Sequence, residues 1–155
     1  MKVPVEVKSH VDWCIFKQVL DAHRDEIEMR LPPPRLHPGE VVQHCLNVIN
    51  IMREQGPHCF TIGYSADPAW RWRHGNGAYK LDRRSKWHKM ILLLLTTDSV
   101  AAGYAEAATI SHFKGTPGCW NHRLGGDSMH KQQGRTSPYA SGLFACYVVV
   151  RDLNK

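Results

Sequence analysis

The sequence predicts an α/β fold carrying an N-terminal helical extension, and three observations support that prediction. Three apolar, β-rich runs, at 59–64, 87–97 and 143–151, read as strands. The first two each lead into a helical segment that opens on a capping aspartate, at Asp67-Pro68 and at Asp98-Ser99. Before residue 57 the apolar residues recur at helical spacing, with no comparable β run.

In order, Val11, Cys14, Ile15, Val19, Leu20, Ile27 and Met29 predict one helix over 11–30. Pro32, Pro33 and Pro34 end it, since three successive residues offer no amide donor. Pro38-Gly39-Glu40 opens a second helix through 55, with Val41, Val42, Cys45, Leu46, Val48, Ile49 and Met52 as its apolar stripe. Gly56-Pro57 closes it, so residues 1–57 form a two-helix extension and 58–155 the main domain. Strand 59–64 then runs into a short helix through His74, which stops at Gly75-Asn76-Gly77. After a basic loop, the strand WHKMILLLLTT (87–97) leads into the helix after Asp98, which stops at Gly115-Thr116-Pro117-Gly118. Two polar loops follow, and LFACYVVVR (143–151) is the last strand.

A chain of 155 residues with a hydrophobic fraction of 43% folds around a packed core as one main domain, which excludes a disordered chain. No apolar run approaches the roughly 20 residues of a membrane span, so no membrane partner is expected. Five cysteines without close pairing argue against a disulfide framework. With no signal-peptide stretch in MKVPVEVKSH, the expected location is intracellular, cytoplasmic or nuclear.

The charge is concentrated. Residues 71–89 hold Arg71, Arg73, Lys80, Arg83, Arg84, Lys86 and Lys89 against Asp82 alone, a surplus equal to the +6 of the whole chain. Clustered cations interleaved with Trp and Tyr suit a phosphate backbone, while the plainer alternative is a solvated basic loop. Residues 1–30 are nearly charge-balanced, with five Lys/Arg and six Asp/Glu, which suits a protein partner or self-association through the N-terminal helices. Glu106 stands among alanines on its helix, where it either faces water or is buried with something that offsets its charge. His112, Cys119 and His122 lack the tightly paired spacing of a zinc site.

Thr61-Ile62-Gly63, then Arg71 on the next helix, Glu106 on a later one, and Asn121 followed by Gly125-Gly126 come in an order that resembles the GIY-YIG nuclease superfamily. The resemblance covers residues 59–126 and implies a small three-stranded antiparallel sheet flanked by helices. Two features depart from the pattern. The tyrosine of the "YIG" strand is Thr61, and no "GIY" strand precedes it. The terminal ACYVVV is similar to that opening strand, so the resemblance implies circular permutation, with Tyr147 standing for the "GIY" tyrosine. This requires strand 143–151 to pair with strand 59–64.

The resemblance implies a metal-dependent endonuclease acting on nucleic acid, DNA rather than RNA. Glu106 would hold Mg²⁺ or Mn²⁺. Arg71 would bind the scissile phosphate, and Tyr147 would orient or deprotonate the attacking water. Thr61 keeps a hydroxyl at the site, and Gly63 would let a phosphate approach beneath Arg71. His74 either assists or simply caps its helix. Arg73, Lys80, Arg83, Arg84 and Lys86 would line the nucleic acid. Asn121 would join them, or brace its loop or the glutamate's helix. Tyr79 would stack on a base or pack. The alternative function is a catalytically impaired GIY-YIG-like module that binds nucleic acid without cutting it, a reading that Thr61 in place of the family's tyrosine favours.

Overall fold

The computed structural model describes residues 3–56, 58–73, 78–81, 86–121 and 142–153. In chain order these form α1 (Val5–Lys8), α2 (Trp13–Ala22), β1 (Ile27–Met29), α3 (Pro38–Glu54), β2 (His58–Ser65) and α4 (Pro68–Arg73). A 3-10 turn (Tyr79–Leu81), β3 (Lys89–Thr96), α5 (Ser99–Phe113) and β4 (Phe144–Asp152) complete them. The α/β class is as the sequence predicts.

The sheet differs from the expected three antiparallel strands, being four-stranded and mixed in the order β1-β3-β4-β2. The extra strand comes from the N-terminal extension. The helix predicted over 11–30 ends at Ala22, and β1 pairs in parallel with β3. Three residues carry no periodicity of their own, so β1 is a strand because β3 offers it an edge. Met90 N–H donates to the Glu26 carbonyl at 2.8 Å, and Arg30 N–H donates to the Leu92 carbonyl at 2.9 Å. A short helix, α1, also precedes the two predicted ones.

β2 pairs antiparallel with β4 along the whole length of β2, from His58 opposite Asp152 to Ser65 opposite Ala145. β4 pairs with β3 on its other side, so the last strand in sequence lies inside the sheet. This explains its unbroken apolar run, because residues 145–150 are buried on both faces.

Each face has its own core. Cys146, Val148 and Val150 join Phe60, Ile62, Ile91 and Leu93 under α3 and α5, where Phe60 and Phe113 meet edge to face at 5.6 Å. On the other face Ala145, Tyr147 and Val149 join Met90, Leu92, Trp72 and Trp87 under Phe16 and Leu20 of α2. A bulge between Leu92 and Leu94 shifts the alternation, leaving Leu93 and Leu94 on the α5 side and Leu95 on the α2 side. Each large buried side chain contributes about 1.5–3 kcal/mol relative to exposure, so both layers hold the sheet.

Candidate functional site

The α2 face carries the cluster that the sequence order suggests. At its base, Ser65 Oγ accepts from Asp67 N–H at 2.9 Å, and Asp67 Oδ1 accepts from Trp70 N–H at 3.0 Å. These bonds satisfy amides at the start of α4 and set its direction as it leaves β2. Trp72 is fully buried, and its indole N–H donates to Glu26 Oε2 at 2.7 Å, which fixes the helix rotation. Arg71 then lies with its guanidinium carbon 4.7 Å from the centre of the Tyr79 ring. It also hydrogen-bonds the Tyr147 and Tyr79 phenols, whose hydroxyls are 3.0 Å apart.

Gly63 lies opposite Tyr147 in the β2–β4 ladder. A Cβ at residue 63 would sit 2.6 Å from the Tyr147 hydroxyl and 2.7 Å from its Cζ. This corrects the expected purpose of the glycine, since the space above it holds the Tyr147 phenol and not a phosphate. Thr61 shares this strand face by alternation, paired with Val149. The phenol beside Tyr147 is nevertheless that of Tyr79, contributed by the loop after α4.

The electrostatics of the cluster favour a fixed cation and neutral phenols. Burial disfavours the charge on Arg71, but the oxygens of Tyr147 and Tyr79 more than offset it, and its pKa is raised. Burial and Tyr79 push the Tyr147 phenol well above its ordinary range, against the opposing pull of Arg71. Tyr147 is therefore a hydrogen-bonding post for Arg71, held neutral, and in this state is poorly suited to deprotonate water.

Glu106 is fully buried on the other side of the sheet, the side of α5. Its charge acts on Tyr64 and Cys146, which face each other across β2 and β4. Burial and then Glu106 raise the Tyr64 phenol. The bond from Cys45, burial, and the charges of Cys45 and Glu106 raise the Cys146 thiol. The structure thus joins Arg71 to Tyr147 but does not join Glu106 to them. A hydrated Mg²⁺ or Mn²⁺ does not fit here, since such ions keep several waters and a phosphate contact, and Glu106 has no exposed surface. Among the described residues no three His, Cys, Asp or Glu side chains gather into a metal site.

The remaining predicted cations are largely engaged within the protein. Arg73 Nη1 lies 2.9 Å from His23 Nδ1, and Lys80 is ion-paired with Glu26. Lys86 is exposed, with φ at +53°. Asn121, expected on the nucleic acid or as a brace, clips the outer edge of β2. Its Nδ2 donates to the Ile62 carbonyl at 2.8 Å, and its Oδ1 accepts from Ile62 N–H at 2.7 Å. His74, Arg83, Arg84, His122 and Gly125-Gly126 lie outside the described residues.

The residues that sequence reasoning missed are His23, Glu26 and Glu28 of the extension. Burial raises the Glu26 carboxyl, but bonds from Lys80 and Trp72 and the charges of Lys80 and Arg73 outweigh it, so its pKa is lowered. Glu28 is lowered in the same way, with Arg30 and Lys89 as its partners against burial. No motif marks such pairings, because apart from Glu28–Arg30 each joins the extension to a residue far along the chain. A cleft of about 860 Å³ lined by Pro4, Leu31, Pro33, Leu95 and Tyr104 lies at the opposite end of β3 from Trp87 and holds none of the predicted site residues. Among the described residues no helix is long and apolar enough to cross a membrane.

No family model, no curated protein and no solved structure matches this chain.

Proposed function

We propose that this chain is a nucleic-acid-binding protein on a GIY-YIG-like frame, gripping a backbone phosphate with Arg71 beside the Tyr79 and Tyr147 phenols. The observation that supports it is the meeting of Arg71 with Tyr147, which are distant in sequence, through the pairing of β2 with β4 that circular permutation requires. A guanidinium held charged on an aromatic face suits a phosphate, which takes two parallel hydrogen bonds from it. Tyr147 and Tyr79 orient that guanidinium, and the surplus of cations in residues 71–89 draws the polyanion in.

The test is titration of the full chain with fluorescent single- and double-stranded DNA at several salt concentrations. Arg71→Ala is expected to weaken binding about 10- to 100-fold, the loss of a charged hydrogen bond, and to make the salt dependence shallower. Binding equal to wild type in a folded Arg71→Ala protein overturns the assignment.

The second reading is an endonuclease that cuts where Arg71 holds the phosphate, with Mg²⁺ or Mn²⁺ bound elsewhere than at the buried Glu106. The observation favouring it is the same contact of Arg71 with Tyr147, the pair that the family resemblance assigns to phosphodiester cleavage. Nicking that depends on added Mg²⁺ or Mn²⁺ and is lost in Arg71→Ala would establish it. Silence of the wild type toward single- and double-stranded DNA and RNA in both ions leaves binding as the function.

A further inference from the structure

The Arg71 cluster continues as a row of aromatic rings toward the edge of the sheet. Tyr147 meets Tyr79 at 5.8 Å between ring centres, Tyr79 meets Trp87 at 6.4 Å, and Trp87 meets Trp120 at 5.2 Å. Tyr147 is fully buried and Trp87 nearly so, but Trp120 is 40% exposed. An exposed indole on a loop is usually a mobile side chain. This one is anchored through its backbone, because Trp120 N–H donates to the Phe60 carbonyl at 2.9 Å. The next residue, Asn121, makes both bonds to Ile62, and the preceding Cys119 forms a bridge with Phe60. Trp120 therefore presents its indole at a fixed position, two ring contacts from the ring on which Arg71 rests.

We propose that Trp120 is a stacking platform for a nucleobase, and that the strand held at Arg71 is single-stranded or locally unpaired. The assignment rests on the phosphate contact proposed for Arg71 and adds the substrate class. In a duplex each base face is covered by its neighbours, so an indole reaches a π-face only where the strand is unstacked. The geometry meets both needs of such a strand, with a cation for the backbone and, a short step away, a rigid aromatic surface for a base. Pre-anchoring of Trp120 lowers the ordering cost of binding.

The experiment compares three fluorescent strands on the full wild-type chain: a single-stranded DNA, the same strand carrying abasic sites in place of its central nucleotides, and the matched duplex. The expected order is tightest binding to the base-bearing single strand and weaker binding to the other two. Trp120→Ala is expected to weaken binding to the base-bearing strand about 5- to 150-fold, the range for loss of one stacked base. It is also expected to abolish the difference between base-bearing and abasic strands, while Trp120→Phe retains that difference. Equal affinity of the wild type for base-bearing and abasic strands overturns the platform and leaves the phosphate contact standing. No binding of any strand by the wild type overturns the phosphate contact, and the platform with it. The abasic comparison needs no variant, so the outcome is decided even if Trp120→Ala does not fold.

Discussion

Residue 63 has room for a hydrogen and nothing larger. The atoms that a methyl group would meet belong to Tyr147, which is fully buried and tied by its hydroxyl to Tyr79, so they cannot swing aside. Gly63→Ala is expected to destabilise the fold by about 1–3 kcal/mol, the usual cost of overpacking, measured by chemical denaturation. The loss should shrink when the same change is made in a Tyr147→Leu background, since neighbours that collide are not additive. Equal losses in both backgrounds would show that the ring is not what Gly63 accommodates. Gly63, Arg71 and Tyr147 were all legible in the sequence as members of one pattern. The use made of the glycine was not, because motif order does not say which side chain fills the space above a strand. Tyr79 was visible only as an aromatic in a basic loop, and its place beside Tyr147 depends on how that loop folds back.

At the level of elements, the segment from α2 to β1 covers the face that carries Arg71, and its carboxylates hold that face's cations. Glu26 bonds Trp72 and pairs with Lys80, and Glu28 bridges Arg30 and Lys89. Both carboxyls lie below their ordinary value in the fold. The stability they contribute is therefore complete above the unfolded value of about pH 4.3 and is lost as the pH falls through the lowered folded values. Melting temperature measured between about pH 6 and about pH 3 is expected to fall less steeply in Glu26→Gln/Glu28→Gln than in wild type. Parallel curves would remove these pairs from the account of the fold. The helix boundaries around this segment show what sequence can and cannot give. α3 was plain from Pro38 and Glu40, whose carboxylate accepts from His37 N–H at 3.3 Å. The end of α2 was hidden, because the apolar spacing that marks the helix runs on through Ile27 and Met29. Those two residues serve β1 instead, where the edge of β3 decides their conformation.

Over the whole molecule, the strands of the open sheet lie in an order that the chain does not follow. β4 separates β3 from β2, so the two layers on either side come together only when the last described strand is in place. The existence of β2, β3, β4 and the helices could be anticipated, because continuous apolar runs and capped helices are local signals, whereas the pairing of β4 with β2 was implied only by the family resemblance. Other long-range relations could not be anticipated, including the parallel strand from the extension and the separation of Glu106 from Arg71 by the thickness of the sheet. One outer edge of that sheet is β2, and Asn121 lies along it. A carboxamide sets an N–H donor beside a carbonyl acceptor, the same pair that a peptide group presents to a neighbouring strand. With Gly118 and Trp120 serving Phe60 and Asn121 serving Ile62, the side chain acts as one more peptide unit and extends the row of partners along the outward-facing backbone of β2. Over Phe60 and Ile62 the edge of β2 is thus covered, which leaves less of it for a passing chain to pair with, and Asn121→Ala is expected to uncover the Ile62 N–H and carbonyl.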